Sequence, residues 1–160
     1  MDRPLAALGK RFAFNNRLLD LLSAGMEPAD WSFAPPGGGN SAHWILGHAA
    51  RYRRWLRRKA GDAVPEEPWE AQFPGGKVVP DPAKFPPAGE LATDFLGSGA
   101  RLEELLGAAT PEAAAADIGS TFGDGSRSVE GGAHFLYFHE TYHLGQIGIL
   151  RRMRGKPAFA

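Results

Sequence analysis

The sequence predicts an all-α fold, a four-helix bundle with a long crossover between the second and third helices. Three observations predict it. Apolar residues recur at helical spacing in four separate segments, which puts one buried stripe on each of four helices. The 21 glycines and 13 prolines of the 160-residue chain cluster between those segments, as punctuation between helices. The last segment, residues 134–154, runs without proline, and Gly145 and Gly148 are its only interior glycines. No internal repeat divides the chain, so residues 1–160 read as one domain, long enough to bury a core.

The first helix is expected over residues 5–24. Leu5, Leu8, Phe12, Leu19 and Leu22 make its stripe, Pro4 suits the first turn and Gly25 the stop. Asn15 falls inside that stripe, where an amide must find partners in the core or face a polar cavity. Residues 27–39 read as a loop, held to the bundle by Trp31 and Phe33. Asn40 or Ser41 can cap the second helix, which runs to Lys59. Trp44 or Ile45, then His48, Tyr52 and Trp55 share its buried face. His43, five positions before His48, lies about 140° away and cannot share it. Arg53, Arg54, Arg57, Arg58 and Lys59 are assigned to the outer side, as a solvated helix end suited to the dipole.

Residues 61–88 form the long connection, with Pro65, Pro68, Pro74, Pro80, Pro82, Pro86 and Pro87 interleaved with Trp69, Phe73 and Phe85. A loop of this length is either a functional lid or a crossover that needs the reach. Trp69 and Phe73 are the candidate lid residues. The third helix spans residues 89–106, on Leu91, Phe95, Leu102, Leu105 and Leu106. Thr110, Pro111 and Glu112 open a short helical piece to Ala116. A turn-rich link follows over residues 119–125, and Ser126 or Ser128 caps the final helix.

Composition excludes several functions. There is no cysteine, hence no disulfide, no thiolate metal site and no cysteine nucleophile. Lys plus Arg and Asp plus Glu are 18 each, so no basic surplus faces nucleic acid. No apolar run approaches the roughly 18 residues that span a membrane, and no signal-peptide pattern opens the sequence. The expectation is a cytoplasmic protein with no nucleic-acid or membrane partner.

The chemistry concentrates in the last helix. His139 and His143 are four residues apart and stack on one face, with Gln146 continuing the row. Two imidazoles one turn apart can hold a divalent metal if a third ligand comes from elsewhere. The same spacing also suits two buried histidines satisfied by hydrogen bonds. Tyr142, about 100° from His143, is expected to pack in the core with its hydroxyl free to reach a partner.

Three pieces resemble the DinB/YfiT-like superfamily of four-helix bundles. They are the run from Asn40 to His48 with its Leu-Gly-His, the aromatic and proline-bearing crossover, and the run from His139 to Ile147 followed by Leu150, Arg151 and Arg152. The resemblance spans nearly the whole chain. It implies that His48, His139 and His143 bind one divalent ion, zinc or nickel for all-nitrogen ligation, with the remaining position left for water or substrate. His43 and His134 match no ligand position and read as structural. The resemblance further implies a metal-dependent enzyme acting on a small-molecule substrate. It would use a low-molecular-weight thiol, as an S-transferase, or metal-activated water, as a hydrolase, and no protein nucleophile. The competing reading is a non-catalytic, stress-related metal-binding module acting as a dimer, and a homodimer is expected in either case. Gln146 and Asn15 are expected to face the site. The substrate pocket is expected between the start of the second helix and the crossover, walled by Trp44, Trp69 and Phe73. Of the basic cluster Arg51, Arg53 and Arg54, Arg51 lies nearest the metal-facing stripe and is the best candidate to hold the carboxylates or sugar hydroxyls of a thiol cofactor. Protonation should weaken the site as pH falls through roughly 6.

Overall fold

The computed structural model describes residues 3–75 and 81–157; residues 76–80 of the crossover, with Pro80, lie outside the described residues. Among the described residues there are six α-helices: α1 (Ala6–Ser23), α2 (Pro28–Trp31), α3 (Ala42–Lys59), α4 (Ala88–Ala108), α5 (Pro111–Ala115) and α6 (Val129–Met153). Among the described residues there is no strand, only an isolated bridge between Asp117 and Ser128. None of the described helices is long and apolar enough to cross a membrane.

The capping signals act where the sequence places them. Ser41 Oγ accepts from the Trp44 amide, Thr110 Oγ1 from Ala113 and Ser128 Oγ from Gly131. Gly25 adopts φ 68°, the left-handed geometry that ends α1 cheaply only for glycine. The expected loop at residues 27–39 hides a single helical turn, α2. There Glu27 and Asp30 form a capping box around Pro28, which sits at the first helical position where its missing N–H costs nothing. The connection between α3 and α4 holds, among its described residues, two short 3₁₀ turns, Pro68–Gln72 and Pro82–Lys84.

The four long helices pack in sequence around the core, α1 on α4, α4 on α3, α3 on α6 and α6 on α1. The core has two halves. One gathers Leu19, Leu22, Trp44, Ile45, Phe73, Leu91, Leu144 and Ile147; the other gathers Leu5, Leu8, Phe12, Leu56, Leu102, Leu106 and Leu136. Between them, at the same level on all four helices, lies a buried polar hub. Arg53, only 1% exposed, donates to Glu140 through Nε at 2.6 Å and Nη2 at 2.8 Å. It also donates to the Phe12 carbonyl at 3.0 Å, and to Asn16 Oδ1 and the Phe95 carbonyl. Every guanidinium N–H thus has an acceptor. Glu140 Oε1 takes a further bond from Asn15 at 2.8 Å.

The hub corrects the assignment of Arg53 and Arg54 to the outer side. Arg54 is 6% exposed and pairs with Glu70 at 2.9 Å and Asp94 at 2.7 Å. Periodicity registered these arginines as polar and therefore outward. Carboxylates from distant segments make the inward placement possible.

Candidate metal centre

α3 and α6 bring three imidazoles together. His48 Nε2 lies 3.3 Å from His139 Nε2, and His143 Nε2 lies 3.1 Å from the same atom. One ligand atom from each of the three residues falls within 4.8 Å of the others. Nitrogens bound to one ion at 2.0–2.1 Å with near-tetrahedral angles stand about 3.1–3.4 Å apart, so the two spacings through His139 match a shared ion.

The hydrogen bonds fix the tautomers. His48 Nδ1 lies 3.0 Å from the Phe73 carbonyl, which can only accept, so Nδ1 carries the proton and Nε2 presents a lone pair. His143 Nδ1 donates to Gln146 Oε1 at 2.7 Å, and Gln146 Nε2 in turn donates to Tyr142 Oη at 3.2 Å. His139 Nε2 therefore faces two lone pairs and can satisfy at most one with a proton. A cation at the centre satisfies all three, and carbonyl and amide partners of this kind orient metal-bound histidines. Burial, the largest cause in each case, lowers the imidazole pKa of His48 to about 4 and of His139 to about 3, and pulls His143 down as well. All three are neutral at pH 7, the form that ligates.

The surroundings are aromatic. Trp44 stacks on His48 with ring centres 4.6 Å apart, and Tyr52 packs edge-on to His48 at 4.8 Å and to His139 at 5.2 Å. Phe135 lies parallel to His139 at 6.1 Å. A cavity of about 480 Å³ opens on His139, lined by Arg51, Tyr52, Trp55, Phe122, Phe135 and the link at residues 120–123.

A family model described as the DinB superfamily matches residues 11–147. The chain belongs to the DinB superfamily. The match takes in all three histidines of this DinB protein and the hub on α1, α3 and α6. A comparison with curated proteins found no match.

Several expected neighbours of the site sit elsewhere. Tyr142 is 58% exposed and not in the core, because its Cα faces outward on α6, but its hydroxyl does find Gln146. Asn15 is buried yet turned to the hub, bonding Glu140 and Thr141 rather than the histidines. Phe73 is fully buried against α3, where a Cβ at Gly47 would collide with its ring. Trp69 packs on Phe73 at 5.9 Å, and neither lines the cavity on His139. That cavity lies beside the later turns of α3 and is walled by the residues 120–123 link, not by the crossover. His43 bonds the Pro86 carbonyl at 2.8 Å, and His134 is exposed. Sequence reasoning passed over Tyr52, Phe135 and Phe122 as site walls. Phe135 and His139 are four apart on α6, which places them on one face, whereas nothing local announces Phe122.

Proposed function

We propose that this DinB protein is a metal-dependent enzyme, a single domain built as a four-helix bundle with a long crossover, acting in the cytoplasm. His48, His139 and His143 hold one divalent cation, zinc or nickel, and the cavity beside His139 takes a small-molecule substrate. One observation carries the reading: three imidazole lone pairs converge at metal-ligand spacing, with His48 and His143 locked in the required tautomer. When bound, such a cation supplies Lewis acidity, which lowers the pKa of a thiol or water in its remaining position. The chain does the rest. The Phe73 carbonyl and Gln146 hold the ring protons on Nδ1. Tyr52, Trp55, Phe122 and Phe135 give the cavity beside His139 its aromatic wall. With no cysteine in the chain, a thiol nucleophile must arrive with a low-molecular-weight cosubstrate, giving S-transfer, and activated water gives hydrolysis.

The test combines metal analysis with turnover. Wild type should retain close to one zinc or nickel per chain and His143→Ala should lose most of it. The loaded protein should turn over an electrophile when a thiol panel is added, or an amide or ester without thiol. Equal metal occupancy in the variant would overturn the site, and a loaded protein inert to every combination would overturn the enzyme.

A second reading, a metal-binding module acting as a homodimer, is favoured by the outer faces of α1 and α6. The large exposed apolar residues Phe14, Leu21, Phe138, Tyr142, Ile149 and Met153 all lie on these two helices. An apolar face of this extent marks an interface. A second copy of the chain is its natural occupant, since a twofold axis lays the same two helices on themselves.

A further inference from the structure

Five arginines project from α3, and four of them have carboxylate partners. Arg53 pairs with Glu140, Arg54 with Glu70 and Asp94, Arg57 with Asp62, and Arg58 with Glu70. Arg51 has none among the described residues. Its Nη1 reaches the Phe73 carbonyl at 3.4 Å, the same oxygen that takes the His48 ring proton. Its guanidinium carbon stands 5.2 Å from the Tyr52 ring centre. The other N–H donors have no acceptor among the described residues, although the side chain is half-buried. Glu66, Glu67 and Glu70 share a neighbouring hollow with Arg51, but none of them forms an ion pair with it, and Glu67 and Glu70 are turned to Arg54 and Arg58.

Arg51 is also the one arginine that lines the cavity on His139. The rest of that wall is mostly aromatic: Tyr52, Trp55, Phe122 and Phe135. A guanidinium with spare, forked donors inside an aromatic cavity is matched by a planar anion, which it can grip through two parallel bonds. We infer that Arg51 is the anion-recognising residue of this cavity, and that the molecule accepted there is a small carboxylic acid with an apolar, ring-sized body. Arg51 and His139 line the same cavity, so the reactive end of such a molecule can meet the metal centre at His139 while its carboxylate rests on Arg51. The inference rests on the reading of the cavity as the substrate site of the metal centre.

The test is binding of 3-phenylpropionate against its uncharged amide, 3-phenylpropanamide, followed by calorimetry and by the fluorescence of Trp55 in the cavity wall. It is run on the chelator-stripped chain, where the carboxylate has no metal to bind, and repeated with zinc. The acid should bind roughly tenfold tighter than the amide, and less so as salt rises. Arg51→Gln should abolish that preference, leaving amide affinity unchanged, and Arg51→Lys should retain part of it. Equal affinity for acid and amide, no saturable binding of either, or an undiminished preference in Arg51→Gln would each overturn the inference. A preference for acid in a chain that fails to take up zinc when zinc is added back would instead sustain the anion site and remove the metal reading.

Discussion

Arg53 is the residue whose role differs most from its local pattern. Its guanidinium is buried at the junction of all four long helices, with every N–H used. A buried ion pair is not in itself a large source of stability, because desolvation offsets the attraction. Removing one partner is a different matter. Glu140→Ala leaves a buried charge without a counterion, and chemical denaturation should register a loss of about 3–5 kcal/mol. Replacing both residues with apolar ones of similar volume should recover much of that loss. If the single variant unfolded at the wild-type denaturant concentration, the hub would be marginal. Glu140 is the neighbour of His139, and Arg53 lies on the helix that carries His48. The same pair that joins α3 to α6 therefore sets the register in which the imidazoles meet.

Among elements, α4 contributes no ligand but gives the hub its room. A Cβ at Gly99 would run into Arg53 Nη1 and Asn16 Oδ1, so Gly99→Ala must displace the hub, unlike the same change at Gly97, which meets nothing. Helix propensity alone makes both changes mildly favourable. The Gly99 variant should nonetheless melt below wild type and the Gly97 variant at or slightly above it, as thermal denaturation by circular dichroism would show. Equal shifts would mean that the hub yields without strain. At the start of α6, Ser128 caps the helix through the Gly131 amide. Ser128→Ala should cost about 1 kcal/mol and leave metal content intact, since the cap is several turns from His139. The crossover acts as an element too: Phe73 fills the space over Gly47 and lends its carbonyl to His48.

For the whole molecule, the buried histidines tie stability to pH. Their folded pKa values lie below the ordinary 6.5, at about 4 for His48 and about 3 for His139. The unfolded chain then binds more protons than the folded one below 6.5, so stability falls as pH drops through that window. At pH 7 both states are neutral there and nothing is lost. Urea midpoints of the metal-free chain should therefore decline between pH 6.5 and 5, where carboxylates remain ionised, and His48→Asn should flatten the decline. A flat wild-type profile would contradict the burial of these rings. The same lowering means that protons displace the metal at lower pH than ordinary imidazoles would suggest. At the scale of assembly, light scattering at tens of micromolar should give a dimer mass, and Phe138→Glu with Ile149→Glu should give a monomer that still binds metal. A wild-type monomer would reject the α1 and α6 interface.

The sequence by itself determined the helices, because stripes such as Leu5, Leu8 and Phe12, caps such as Ser41 and Ser128, and stops such as Gly25 act within a few residues of where they are written. It also singled out His48, His139 and His143, since two share a helical turn and the third lies on a buried stripe among the family's motif residues. Only the tertiary structure decided what is assembled from separate segments. It turned Arg53 inward, because an isolated arginine belongs in water until Glu140, Asn16 and two carbonyls surround it. It set Asn15 in the hub and left Tyr142 outside. It walled the cavity with Phe122 from a link that carries no periodicity and, among the described residues, left Arg51 without a carboxylate while pairing the four other arginines of α3. A helix encodes its own face through the spacing of its residues. The partner that makes a buried charge tolerable, or that leaves one free, comes from elsewhere in the chain and has no signature beside it.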